Sequence, residues 1–317
     1  AIMAGNSVVL KHSAQTPLCS EQFARAFEIA NLPKDVFQYL HLSHQETERA
    51  IQAQPVNYVS FTGSVAGGNM VEQAAQGRFI QVGLELGGKD PAYVCEDANL
   101  DHAVETCVDG AFFNSGQSCC GIERIYVHHN VYQEFVEKAV KLINQYKLGR
   151  SDDRESTLGP VISSTSADFI RNQIEEAVNA GATAHIDPAN FPLNELGSAY
   201  LAPQLLTEVD HNMKLMTEES FGPVVGIMKV QNDLHAIELM NDSEFGLTAS
   251  VFSTDVNRAI NIGKQINTGT FFVNRCDYLD PALAWVGVKN SGRGCSLSSL
   301  GYHSLTRPKS FLVKTNI

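Results

Sequence analysis

The cysteines of this 317-residue chain, at 19, 95, 107, 119, 120, 276 and 295, lack any repeating spacing. An odd number of them in a long chain argues against a disulfide framework and for a reducing compartment, the cytoplasm. There is no CxxC pair and no HExxH, so a structural or catalytic metal site has no support. Positive charge is scarce: 23 Lys and Arg against 35 Asp and Glu give a net charge of −12, the wrong sign for a nucleic-acid groove. No apolar run approaches the ~18 residues of a membrane helix. Internal repeats, low-complexity tracts and the basic segment of a signal peptide are all missing. So is an initiator methionine: the chain opens "AIMAGNSVVLKH", which reads as a cut through the middle of a domain.

What is present suits a globular protein. A chain of this length can bury roughly 75% of its unfolded surface, enough for one large or two medium domains. Through residue 86, strand and helix signals alternate. Val8 to Leu10 is apolar and rich in β-branched residues, and residues 16–33 read as a helix with Pro17 in its first turn and Pro33 as its stop. Residues 36–42 are strand-like, Ser43 and Glu46 form a capping box, "VNYVSFTG" is strand, and a helix passes Met70 and Ala74 before the strand "RFIQVGLELGG". The alternation resumes with "DPAYVCED", a helix over 100–113, strand 121–129 and an amphipathic helix over 131–147. After a polar loop at 149–165, helices are expected over 165–180, 233–241 and 255–266, and strands near 199–209, 222–230, 248–253 and 270–274. Such alternation predicts parallel βαβ units with helices on the sheet faces. The tail, 306–317, reads as a lone strand whose open edge invites another subunit.

Three stretches carry chemistry. "NSGQSCCGIE" (114–123) sets Cys119 and Cys120 behind a small-residue turn whose amides could face a reacting oxygen. A thiol here is either a nucleophile or one more buried small hydrophobe. Ser118 is a poor hydrolase nucleophile, because Cys120 replaces the last glycine of GxSxG. Glu85, between Leu84 and Leu86 in "LELGGK", is either a desolvated general base or a salt-bridged strand end. "FTGSVAGG" (61–68) runs from strand through a glycine turn into a helix, where dinucleotide phosphates commonly sit, though it is not GxGxxG.

The order of these pieces resembles the aldehyde dehydrogenase superfamily along essentially the whole chain. "AGNSVVLKHSAQTPL", "FTGS", "LELGGKDP", "FFNSGQSCC", "EESFGPV", "GTFFVN" and "GVKNSGRG" follow one another in register. The resemblance implies an α/β fold with two Rossmann-like parallel-sheet domains, the cofactor domain truncated at its N-terminus. It implies a partial dinucleotide-binding domain over 1–87, a catalytic domain over 88–290, a return segment over 291–305 and an oligomerisation strand over 306–317. It implies that Cys119 attacks an aldehyde while Cys120 stands by, and that Glu85 activates the water that hydrolyses the thioester. Branches that pass the acyl group to coenzyme A do not need that base. Lys11 would contact the adenosine ribose of NAD or NADP. Gly63, Ser64 and Gly68 would form the turn near its pyrophosphate, and Glu219 and Phe221 would hold the nicotinamide ribose and ring. The expected partners are a small-molecule aldehyde and further copies of the chain, as a homodimer or homotetramer, with no nucleic acid and no membrane.

Two departures from the family qualify this. Many members carry an acidic residue three positions beyond the cofactor lysine; here Ala14 stands there, which removes a repulsion against a 2′-phosphate and would admit NADP beside NAD. The family also has about a third more chain before residue 1, including an asparagine that donates to the oxyanion. Losing one such donor costs roughly 10²–10³ in turnover, so this chain alone is expected to be weakly active or inactive. His12 and "DPALAW" (280–285) are similar to bacterial branches that include succinate-semialdehyde dehydrogenases. Arg275, Lys289 and Arg293 are candidates for a substrate carboxylate and equally ordinary surface cations. Competing readings are a non-catalytic fragment on the same fold and a cysteine-dependent esterase.

Overall fold

The computed structural model describes residues 1–315. Two units divide the chain: one holds Ala1–Glu85, Asp280–Val286 and the stretch from Arg293 onward, the other Leu86–Leu279 and Gly287–Gly292. The division therefore falls at Glu85 rather than 87, and 280–286 joins the first unit instead of the catalytic stretch. Local hydrogen bonds account for both shifts. The Leu86 amide donates to the Ser291 carbonyl at 3.0 Å inside the second unit, while Trp285 and Ser296 exchange two backbone bonds of 2.8 Å inside the first.

The first unit alternates β1 (Val8–Leu10), α1 (Leu18–Ile29), β2 (Phe37–Tyr39), α2 (His44–Gln52), β3 (Tyr58–Thr62), α3 (Val65–Ala75) and β4 (Gln81–Glu85). Here β1 pairs with β2 and β3 with β4, both parallel, and the two pairs belong to separate sheets. The Ser43 capping box forms as expected. By contrast, α1 stops well before Pro33, because Asn31 takes a left-handed conformation, φ 55°, that ends the helix first. Burial here is thin: Ile51, Val71, Val82 and Leu84 are covered, whereas Val9, Phe23, Ile29 and Met70 are exposed.

The second unit contains β5 (Asp90–Val94), α4 (Leu100–Phe112), β6 (Ile122–His128), α5 (Tyr132–Ile143), α6 (Ser164–Asn179), β7 (Thr183–Ala184), β8 (Gln204–Thr207), α7 (Lys214–Thr217), β9 (Val224–Val230), α8 (Asp233–Asn241), β10 (Phe245–Gly246), β11 (Thr248–Phe252), α9 (Val256–Gly263), β12 (Thr270–Val273) and β13 (Val288–Lys289). Among the described residues its sheet runs β12-β11-β5-β6-β9-β8-β7, parallel throughout except for β7 against β8. Strand alternation divides the core. Ala92, Val94, Ile125 and Val127 pack toward α4 and α5 on one face. Tyr93, Cys95 and Tyr126 pack toward α8 and α9 on the other. A sheet covered on both faces needs near-continuous apolar strands, and β5, β6 and β11 are buried along their whole length.

Within the single chain residues 306–315 carry no strand, and Phe311, Leu312 and Val313 stand exposed. Asn316 and Ile317, the end of the expected strand, lie outside the described residues. Among the described residues no helix is long and apolar enough to cross a membrane.

Candidate active site

Three segments meet the amino ends of neighbouring strands in the second unit. Gly87 to Lys89 enters β5, Cys119 precedes β6, and Glu219 to Phe221 precedes β9, and these strands are adjacent in the order β5-β6-β9. The approach to Cys119 is a tight left-handed turn: Asn114, Ser115 and Gly116 have φ of 50°, 58° and 71°. Only hydrogen bonds around it sustain two non-glycine residues in that region. Ser115 Oγ donates to the Gly159 carbonyl at 2.8 Å, the Asn114 amide to the Gln117 carbonyl at 3.1 Å, and the Gln117 amide back to the Asn114 carbonyl at 3.0 Å.

The two thiols differ. Cys120 is 4% exposed, and its Sγ donates to Asp277 Oδ1 at 2.8 Å. A hydrogen bond with the Cys119 thiol, burial and the Asp277 carboxylate together push the Cys120 thiol far above the ordinary thiol range. Cys119 is half-buried. Its carbonyl lies so close to Gly88 that a side chain at 88 would strike it. Gly88 in turn donates its amide to Glu219 Oε1 at 3.0 Å. Burial, then the nearby Glu123 carboxylate, lift the Glu219 carboxyl to about 7 against the pull of the Gly88 amide and Lys89.

Beneath this surface lies a network that sequence reasoning missed. Lys89, fully buried, donates to Glu123 at 2.5 Å and to Ser220 Oγ at 3.1 Å. Glu123 also accepts the amides of Ser220 (2.8 Å) and Phe221 (2.9 Å). That clamp holds Phe221 at φ 51°, with its ring 40% exposed. Neighbouring Asp90 is buried and accepts both the amide (3.0 Å) and hydroxyl (2.6 Å) of Thr248, and burial raises its carboxyl. Lysine and glutamate in sequence read as surface residues; their only signal was membership of "LELGGK" and "GIER".

The same unit carries a cavity of about 500 Å³ whose wall includes Glu105 and Asp109 of α4, Phe113, Arg275 and Asp277. Of the three cations considered for a substrate carboxylate, Arg275 alone borders it, stacked on the Tyr278 ring at 3.7 Å. Lys289 donates to the carbonyls of Asn241 (3.0 Å) and Ser243 (2.8 Å), and Arg293 pairs with Glu72 at 2.6 Å.

In the first unit the expected residues gather at carboxyl ends of parallel strands: Lys11 after β1, Gly63 and Ser64 after β3, and Glu85 ending β4. That is where ligands bind in open α/β sheets. The Gly63 amide donates to the Glu85 carbonyl at 3.1 Å, which ties the glycine turn to that strand. Ser64 caps α3 by accepting the Gly67 amide at 3.1 Å, and its carbonyl accepts the amide of buried Gly68. A Cβ at Gly63 or Gly67 would meet the Phe61 ring at 2.6 or 2.7 Å, so the backbone here stays bare. No acidic residue occupies the first turn of α3, which leaves its positive end open to an anion. Glu85 is half-buried and accepts from Ser296 Oγ at 2.6 Å. Burial raises its carboxyl, and hydrogen bonds from Ser296 and Trp285 only partly offset that.

Helix-covered parallel sheets with these strand-end sites define a Rossmann-like α/β protein. The chain belongs to the aldehyde dehydrogenase family, whose model matches residues 1–311. It is 35% identical over 98% of its length to a probable betaine aldehyde dehydrogenase of Schizosaccharomyces pombe, of which it spans 62%. It is 33% identical over 95% of its length to the succinate semialdehyde dehydrogenase [NAD(P)+] Sad of Escherichia coli K12, spanning 65% of that protein. Among solved structures, the NADP-dependent glyceraldehyde-3-phosphate dehydrogenase of Bacillus halodurans C-125, complexed with NADP, superposes with a TM-score of 0.88. That match is 34% identical and covers 96% of this chain and 62% of the other. The chain thus spans under two thirds of these relatives.

Proposed function

We propose that the protein carrying this chain oxidises an aldehyde to a carboxylic acid with NAD or NADP through a thioester on Cys119. The observation that carries the reading is the division between the adjacent thiols. Cys120 is buried, and the bond with the Cys119 thiol, burial and the Asp277 carboxylate hold it as the neutral thiol, whereas Cys119 is half-buried and so within reach of a substrate. Its thiolate adds to the aldehyde carbon and gives a hemithioacetal oxyanion. As the oxyanion collapses, the hydride leaves and the thioester forms; the bound nicotinamide supplies the acceptor for that hydride. Glu85, its basicity raised by burial, takes a proton from water, which adds to the thioester and releases the acid and the Cys119 thiolate.

The residues present suit the cofactor. The bare glycines at 63 and 67 and the first turn of α3, which holds no acidic residue, suit a pyrophosphate, and Lys11 just after β1 suits a ribose. Glu219 would accept ribose hydroxyls and Phe221 would carry the ring. Relatives named for NAD(P) and NADP support both cofactors, and Ala14 at an exposed position supports acceptance of the 2′-phosphate. The exposed Phe311, Leu312 and Val313 support a homodimer or homotetramer in which the tail pairs with another copy, and free cysteines suit a reducing cytoplasm.

The test is cofactor reduction by the full-length protein over an aldehyde panel, beside its Cys119→Ala variant. Reduction that requires aldehyde and vanishes in the variant is expected; reduction that survives the substitution would sink the reading.

A further inference from the structure

We propose that the cavity bordered by Asp277, the carboxylate that holds the residues on either side of Cys119, selects aldehydes carrying a cationic group, an ammonium or quaternary ammonium on the carbon chain, over aldehydes carrying a carboxylate. This rests on the reading of Cys119 as the nucleophile and deepens it. The cavity is tied to the nucleophile's neighbours: Asp277 borders it and accepts from Cys120 at 2.8 Å and from Ser118 at 3.3 Å, the residues flanking Cys119. Its charge is lopsided. Glu105, Asp109 and Asp277 face one cation, Arg275. Among the described residues none of the three carboxylates forms an ion pair, and Arg275 is exposed and already stacked on Tyr278.

Glu105 and Asp109 lie four apart on α4, where like charges destabilise the helix unless something of opposite sign arrives. The wall records the resulting field. Cys276, which lines the cavity, has its thiol pushed up to about 12 by burial and then by Asp277 and Asp109, with Arg275 opposing as a smaller effect. Phe113, also in the wall and 61% exposed, offers an aromatic face to a cation. An aldehyde ending in a carboxylate would meet repulsion from three sides and one guanidinium already engaged.

The probe is charge-selective thiol modification of the full chain. Methanethiosulfonates bearing a trimethylammonium, a sulfonate or a plain methyl group each transfer their sulfenyl group to a thiolate, forming a disulfide and releasing methanesulfinate. Peptide mass spectrometry reads the rate at each cysteine, with the exposed Cys19 of the first unit as reference. The expected cation-to-anion rate ratio at Cys119 exceeds that at Cys19 by about tenfold. It should shrink severalfold in the Glu105→Gln/Asp109→Asn double variant, at exposed helical positions, and at high salt. A ratio at Cys119 no greater than at Cys19, or one the double variant leaves unchanged, overturns the proposal alone. If the neutral reagent modifies Cys19 and leaves Cys119 untouched, the nucleophile reading falls and takes the proposal with it.

Discussion

Lys89 and Glu123 meet at 2.5 Å with side chains 1% and 5% exposed, and Glu123 spends its remaining capacity on the amides of Ser220 and Phe221. One buried carboxylate thus neutralises a buried lysine and sets the loop that carries Glu219. Glu123→Gln would strand the lysine charge and cost about 3–5 kcal/mol. Chemical denaturation should show that loss. A midpoint indistinguishable from wild type would mean that the pair is dispensable.

Adjacent thiols should separate cleanly in kinetics. Cys119→Ala is expected to lower turnover of the full-length enzyme by at least about 10³-fold, whereas Cys120→Ala, which removes a buried bystander, should stay within about tenfold. Equal losses in steady-state assays would contradict the assignment.

Removing the proposed base should divide the reaction in time. With Glu85→Gln, one equivalent of reduced cofactor should appear in a burst and then stop, and mass spectrometry should find the acyl group on Cys119. In the wild type only the carboxylate form of Glu85 can accept a proton. Hydrolysis should therefore fall as pH drops through a value above the usual carboxylate range. Absence of both burst and acyl adduct would place Glu85 in the first half-reaction.

Glu219 titrates near 7 because it is buried beside Glu123. If Glu219 holds the nicotinamide ribose as proposed, its ionised form would accept both ribose hydroxyls and its protonated form fewer, so cofactor should bind tighter above about pH 7 and weaken below it. Glu219→Gln should flatten that dependence and raise Kd by about tenfold. Calorimetric titration across pH 6 to 8 would test this, and a slope surviving in the variant would assign it to another group.

Much of this was legible wherever the cause is local. The Ser43–Glu46 box depends on residues three apart, and the βα alternation depends on periods of two and 3.6, so both stand in the sequence. The order of motifs is what points to Cys119, Glu85 and the 61–68 turn. What escaped depends on distant neighbours. Nothing near Lys89 announces that its charge is buried against Glu123, 34 residues on. The left-handed pair Asn114–Ser115 needs Gly159, 44 residues beyond Ser115, to hold it. The tail has a strand's composition, but a strand needs a ladder to join, and its expected ladder belongs to another copy of the chain.

The first unit is not contiguous, and that fixes an order of events during synthesis. The second unit's sheet is complete by Val273, so it can close while the rest of the chain is still being added. Glu85 is made early, yet its carboxyl waits for Ser296, 211 residues later, roughly ten to forty seconds at ordinary ribosome speeds. Until then the glutamate lacks the bond that tempers the rise its burial causes, so the balance that sets its basicity is struck late in synthesis.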